Sequence, residues 1–278
     1  MFNNLWVEKF RPAVFDDVIL SDSNREIINK YAKDQEFPNL LFCGCQGTGK
    51  TTLAKVIVKD ILECQYLYIN ASDENGIDTI RSKVTQFAQT RSFDGGIKVI
   101  ILDECDGLSQ DAQRALRNTM EEFSGTTRFI LTANYNHRII PALQSRCQSM
   151  DLTPPLDKCA ERVDFILNSQ GVVVGSDQLD QLKTFIKNNY PDLRKIINEV
   201  QKYATSGALK LSDNTNCNEF VKKVVALTLS GHVLKVRKFT IEHEELFNGD
   251  YTSLLRQVFD YIDRSNLPDS KKSMGLIA

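Results

Sequence analysis

Between about residues 16 and 153 short apolar runs alternate with amphipathic segments. "SDSNREIINKYAKD" places its apolar residues at helical spacing and opens on a Ser or Asp suited to a helix cap. "NLLFCG", "YLYIN", "KVIILD", "RFILTAN" and "CQSMDL" are short apolar runs of strand length. Helical patterns separate them, from Gly49 to about Leu62, over 77–89 and over 109–123. Strands that read as near-continuous apolar runs and alternate with helices predict βαβ units around a five-stranded parallel sheet.

"TPP" at 153–155 interrupts this pattern, and strand signals then nearly vanish. Helical patterns follow at roughly 156–169, 177–188 and 191–204, the last with Pro191 read as its first helical position. A second polar break, "TSGALKLSDNTNCN", precedes a final helical stretch. The expected organisation is an α/β domain over 1–153, a small three-helix domain over 154–210 and a C-terminal helical segment over 211–278.

Composition narrows the class. The 278 residues are 42% hydrophobic and 25% charged, as in an ordinary soluble protein. No apolar run reaches the roughly 20 residues of a membrane helix, and the N-terminus lacks a signal-peptide pattern. A cytoplasmic protein without membrane contact is expected. Seven cysteines without a CxxC pair read as reduced thiols, and three scattered histidines give no zinc site. A net charge of −2 excludes a generally basic coat, so any nucleic-acid contact must be a local stripe.

"GCQGTGKT" spells G-x-x-x-x-G-K-[ST] between a strand and a helix. Its backbone N–H groups, from Gly44, Cys45, Gln46, Gly47, Thr48 and Gly49 on to Lys50, Thr51 and Thr52, can wrap phosphate oxygens at a helix N-terminus. Lys50 can reach the terminal phosphates, and the Thr51 hydroxyl can ligate Mg²⁺. "KVIILDECD" ends a strand on Asp103, a second candidate metal ligand. The adjoining Glu104 can polarise an attacking water, the rival reading being an acidic turn that caps a helix. "TAN" ends a strand expected between those of the two motifs. Its Asn134 can position water or sense a γ-phosphate, or simply cap a helix.

These pieces occur together with "LWVEKFRP", "NASDENGIDTIR", "DAQRALRNTMEEFS", "TANYNHRIIPALQSRC" and "PDLRK". The set resembles the AAA+ clamp-loader ATPases, that is, replication factor C small subunits and, more closely, the ATPase subunit of T-even-like bacteriophage loaders. The resemblance implies an AAA+ P-loop core, a helical lid and a helical collar. It implies ATP and Mg²⁺ as cofactors, and ATP hydrolysis stimulated by DNA and clamp. The implied partners are further copies of the chain, a distinct loader subunit, a ring-shaped sliding clamp and primer–template DNA. Arg146 then corresponds to an arginine finger acting on a neighbouring subunit's nucleotide, and Arg194 to the lid arginine that reaches the γ-phosphate. Val7, Arg11 and Pro12 correspond to the adenine-side pocket, the alternative being an N-terminal segment docked on its own core.

Within the same resemblance, Arg81, Lys83 and Arg91 around helix 77–89 form a backbone-tracking DNA patch. Gln113 is placed to couple nucleotide site and DNA, and Arg117 and Glu121 have the spacing of a surface i,i+4 pair. Met120 and Phe123 match hydrophobic anchors for the clamp and equally fit a core stripe. Only about 60 residues follow the lid, fewer than a full collar is expected to need, so the collar is read as partial. Two other classes fit the nucleotide motifs: a related DNA motor such as a branch-migration helicase, and an ATP-responsive structural subunit that does not hydrolyse.

Overall fold

A computed structural model describes residues 5–34, 37–73, 76–90, 96–205, 207–209, 215–230, 232–247 and 251–264. The chain forms two compact units, residues 1–211 and 212–278.

In the first unit α1 (Trp6–Lys9) and α2 (Asp22–Asp34) precede β1 (Leu40–Cys43), and the P-loop leads into α3 (Lys50–Val56). β2 (Tyr66–Asn70), β3 (Lys98–Asp103), β4 (Thr127–Ala133) and β5 (Gln148–Asp151) complete a parallel sheet in the order β2-β3-β4-β1-β5. β4 therefore lies between the two motif strands, as the sequence pattern predicts. All six residues of β3 are buried, which is why this strand reads as an unbroken apolar run. Its side chains alternate between faces: Ile100 and Leu102 join one core layer, Val99 and Ile101 the other. The first layer packs under α6 (Gln110–Glu122) through Ala112, Leu116 and Met120. The second packs under α2 and α3 through Ile28, Leu53 and Ala54. Each large aliphatic side chain so buried contributes about 1.5–3 kcal/mol.

The segment predicted as one helix over 77–89 is helical throughout, but not regularly α-helical. α4 (Ile77–Thr79) and α5 (Thr85–Gln89) flank a π-helical stretch, Ile80–Val84. Behind it Lys98, 1% exposed, points its ammonium at the carbonyls of Phe87 and Thr90 and so closes the C-terminus of α5.

After β5, α8 (Leu156–Ser169), α9 (Ser176–Asn189) and α10 (Leu193–Tyr203) enclose a third core. Trp6 is part of that core, so the N-terminal segment docks on the lid helices and not on the sheet. Its backbone N–H donates to Gln201 Oε1 at 2.9 Å. α10 starts later than the sequence reading has it. Asp192 caps it by accepting the Lys195 N–H at 2.9 Å, which leaves Pro191 outside the helix.

The second unit contains α11 (Thr215–Leu229), α12 (Val233–Glu242) and α13 (Tyr251–Arg264) around Phe220, Val224, Phe247 and Ile262.

Candidate nucleotide site

The P-loop carries its signature in its backbone. Gly47 and Gly49 have φ of +74° and +90°, values that L side chains rarely adopt. Gly49 is the residue from which α3 starts, so the loop ends with free N–H groups at a helix N-terminus. The Lys50 ammonium, 7% exposed, donates to the carbonyls of Gly44 at 2.8 Å and Cys45 at 2.6 Å. Burial lowers its pKa, against the pull of the Asp103 carboxylate. Thr48 Oγ1 donates to Cys45 O at 3.1 Å, tightening the loop, while Cys45 and Gln46 are exposed.

Asp103 is the centre of the site. It is 7% exposed, and three hydroxyls converge on its carboxylate. Thr51 Oγ1 lies 2.8 Å from Oδ1 and 2.9 Å from Oδ2. Thr132 Oγ1 donates to Oδ1 at 2.6 Å, and Tyr68 Oη donates to Oδ2 at 2.8 Å. Burial and the hydrogen bond to Asp103 both push the Tyr68 phenol up, so it stays a donor throughout the neutral range. A carboxylate and a threonine hydroxyl in contact, beside a glycine loop that ends in a lysine, are the hard oxygen donors and phosphate cradle that Mg²⁺·ATP requires.

Glu104 follows with φ +56°, left-handed and unusual for a non-glycine residue, and its side chain is exposed. Its N–H donates to Thr132 Oγ1 at 2.9 Å, which holds the turn in this conformation. Two residues on, Asp106 accepts the N–H groups of Asn134 and Tyr135, each at 3.2 Å. The turn after β3 and the end of β4 are thus stitched together, with Glu104 and Asn134 on the two sides of the seam. Neither Thr132 nor Tyr68 is singled out by sequence motifs. The available signal is a polar residue near the C-terminal end of an otherwise apolar strand, beside another strand that ends in a carboxylate.

A cleft open to solvent gathers the remaining groups. Gly47, Thr48 and Gly49 of the loop and Thr52 of α3 face Val7, Arg11 and Pro12 of the N-terminal segment and Arg194 of the lid. Arg162, which the sequence reading also leaves out, donates to Phe10 O at 2.7 Å and holds that segment against the cleft. Asp192 presses on the loop: a Cβ added at Gly47 would lie 1.8 Å from its Oδ1.

Arg146 is not among the residues lining this cleft. It follows α7 (Pro141–Gln144), donates to Ala142 O at 2.7 Å and forms an ion pair with Glu121. The i,i+4 pair expected between Arg117 and Glu121 is replaced by this one, and Arg117 bonds its neighbour Asn118. Gln113, 1% exposed, donates to Leu108 O and Arg138 O and accepts the Ile140 N–H, tying α6 to the segment before α7.

One of the remaining expectations changes. Met120 is 2% exposed and belongs to the core under α6, so it has no free surface to offer a partner. Phe123 is only half-buried. Lys83 is exposed, whereas Arg91 and the side chain of Arg81 lie outside the described residues. Among the described residues no helix is long and apolar enough to cross a membrane.

Residues 40–154 match the family model of the ATPase family associated with various cellular activities (AAA). The replication factor C small subunit of Picrophilus torridus is 39% identical over 241 residues, covering 82% of this chain and 74% of the relative. That of Archaeoglobus fulgidus is 34% identical over 280 residues, covering 96% and 87%. The solved structure of the Thermotoga maritima RuvB Holliday junction branch migration motor superposes with a TM-score of 0.57 over 79% of each chain. At 17% identity that likeness shows the fold alone. With its P-loop, its Thr51–Asp103 contact and relatives aligned along most of its length, the chain belongs to the replication factor C small-subunit family of AAA ATPases.

Proposed function

We propose that the chain is the ATP-hydrolysing subunit of a sliding-clamp loader, which opens a ring-shaped clamp and places it on primer–template DNA. The observation that carries this reading is the separation of Arg146 from the phosphate cradle of its own chain. An arginine held by Glu121 and Ala142 in a half-buried turn serves hydrolysis only if it meets another copy's nucleotide. Bound Mg²⁺·ATP supplies the reactive γ-phosphate and the charge that the loop neutralises. Lys50 and the loop N–H groups bind the phosphates, and Thr51 and Asp103 hold the metal. Glu104 orients the attacking water, while Asn134 and Arg194 report the γ-phosphate. Val7, Arg11 and Pro12 border the adenine.

Gln113, tying α6 to the segment before α7, suits a link from the nucleotide site to DNA. Lys83, with Arg81 and Arg91, would track the duplex backbone without reading bases. Phe123, which caps the C-terminus of α6, remains the candidate clamp contact. The complex would contain several copies of this chain and a distinct subunit, in the cytoplasm of a cell or of a phage's host. Kinship with the T-even-like phage branch rests on the motif set.

The test mixes Arg146→Ala protein with its partner subunits, clamp and primed DNA. Stimulated turnover should fall by about 10³–10⁵, the usual worth of an arginine finger, while ATP binding persists. Undiminished stimulation would refute the reading.

A further inference from the structure

We propose that Tyr68 is a positioning residue of the metal–nucleotide site, fixing Asp103 so that its carboxylate is ready for a divalent cation. The inference rests on the nucleotide reading of that site and extends it to β2, which carries none of the nucleotide motifs.

The argument starts from the supply of protons around Asp103. Thr132 has a single hydroxyl proton, and its oxygen already accepts the Glu104 N–H, so its proton is committed to Oδ1. Thr51 reaches both oxygens. When it turns a lone pair toward a cation, its one proton can serve only one of them. Oδ2 then depends on Tyr68, whose hydroxyl lies 2.8 Å away. Each carboxylate oxygen thus has a dedicated donor from a neighbouring strand, Thr132 from β4 and Tyr68 from β2. The flat face of Asp103 cannot rotate away from the loop without breaking one of these bonds.

A second contact makes Tyr68 a strut. The Lys55 ammonium sits 4.2 Å from the centre of its ring. Lys55 lies one turn beyond Thr51 on α3. The ring therefore joins the helix that bears one metal ligand to the carboxylate that is the other.

The experiment is a Mn²⁺ titration of the full chain with a non-hydrolysable ATP analogue, followed by electron paramagnetic resonance. Tyr68→Phe keeps the ring and removes only the donor. It should weaken Mn²⁺ binding about 10-fold, as loss of a hydrogen bond to a ligating carboxylate does. Analogue binding in EDTA should be unchanged, which a general loosening of the site would not allow. Lys55→Met probes the strut from its other side, where the ring contact predicts about a 2- to 5-fold loss. This variant decides the matter if Tyr68→Phe fails to fold. Mn²⁺ affinity equal in variant and unsubstituted protein would overturn the role of Tyr68. Absence of Mn²⁺-dependent analogue binding in the unsubstituted protein would instead overturn the nucleotide reading of the site.

Discussion

Replacing Thr132 by valine isolates one hydroxyl. The side chains have nearly the same shape and position 132 is fully buried, so no cavity opens. Two hydrogen bonds disappear, from Glu104 N–H at 2.9 Å and to Asp103 Oδ1 at 2.6 Å. The bond to the carboxylate is charge-assisted and contributes about 1.5–3 kcal/mol. The Glu104 amide, facing a methyl instead of an acceptor, costs about 1–3 kcal/mol. The added methyl returns about 0.8 kcal/mol. A net loss of about 2–5 kcal/mol follows, or roughly 4–20 °C in melting temperature for a unit of this size. Near-ultraviolet circular dichroism of the nucleotide-free chain measures that shift. Turnover of the assembled loader should fall about 10²-fold, because the same bond holds Glu104 in its left-handed turn. Thr132→Ser, which keeps the hydroxyl, should retain most of both. A valine variant that melts within 1 °C or so of the parent, against the several degrees expected, would refute the account of Asp103.

Gly47→Ala should weaken ATP binding roughly 10-fold or more, because φ +74° costs a β-carbon about 1–2 kcal/mol and the new methyl displaces Asp192 from its cap, about 1 kcal/mol more. Gly49→Ala bears similar strain with no atom within 4 Å, so equal losses at the two positions, read by nucleotide titration, would rule out the contact with Asp192. Iodoacetamide at pH 8 should modify the exposed Cys45 well before the buried and half-buried thiols. Burial pushes Cys64 and Cys159 up to about 11 and Cys147 up to about 12, and lifts Cys105 further. Below such values the thiolate fraction is about 0.1% or less. Among the described cysteines, mass mapping should find Cys45 alkylated first and protected by ATP; comparable rates at Cys147 would contradict its half-buried setting.

The strands were legible because both faces of the sheet are covered, which forces the middles of β3 and β4 to be apolar. The P-loop followed from its spacing, and Asp103 from its place at the end of an apolar run. What spacing does not carry is registry between strands. Tyr68 pairs with Ile101 and Asn70 with Asp103, and only that alignment brings a phenol from β2 to a carboxylate on β3. The partner of Arg146 was hidden for a similar reason, since Glu121 lies 25 residues away in sequence and contacts it only through tertiary packing. Met120 sits where a core stripe and an exposed contact give the same helical period, and the packing against β4 decided for the core. Pro191 misled because Asp192 is the stronger cap.

The seam between Asp106 and the end of β4 constrains how this region can diverge. Adding or deleting a residue between 103 and 106 would slide Asp106 off the Asn134 and Tyr135 amides and undo both bonds of the seam in one event. The turn at 124–126, at the opposite end of the same strand, is exposed and takes no part in that seam. Length variation among descendants should therefore collect at the far turn and be purged from the near one.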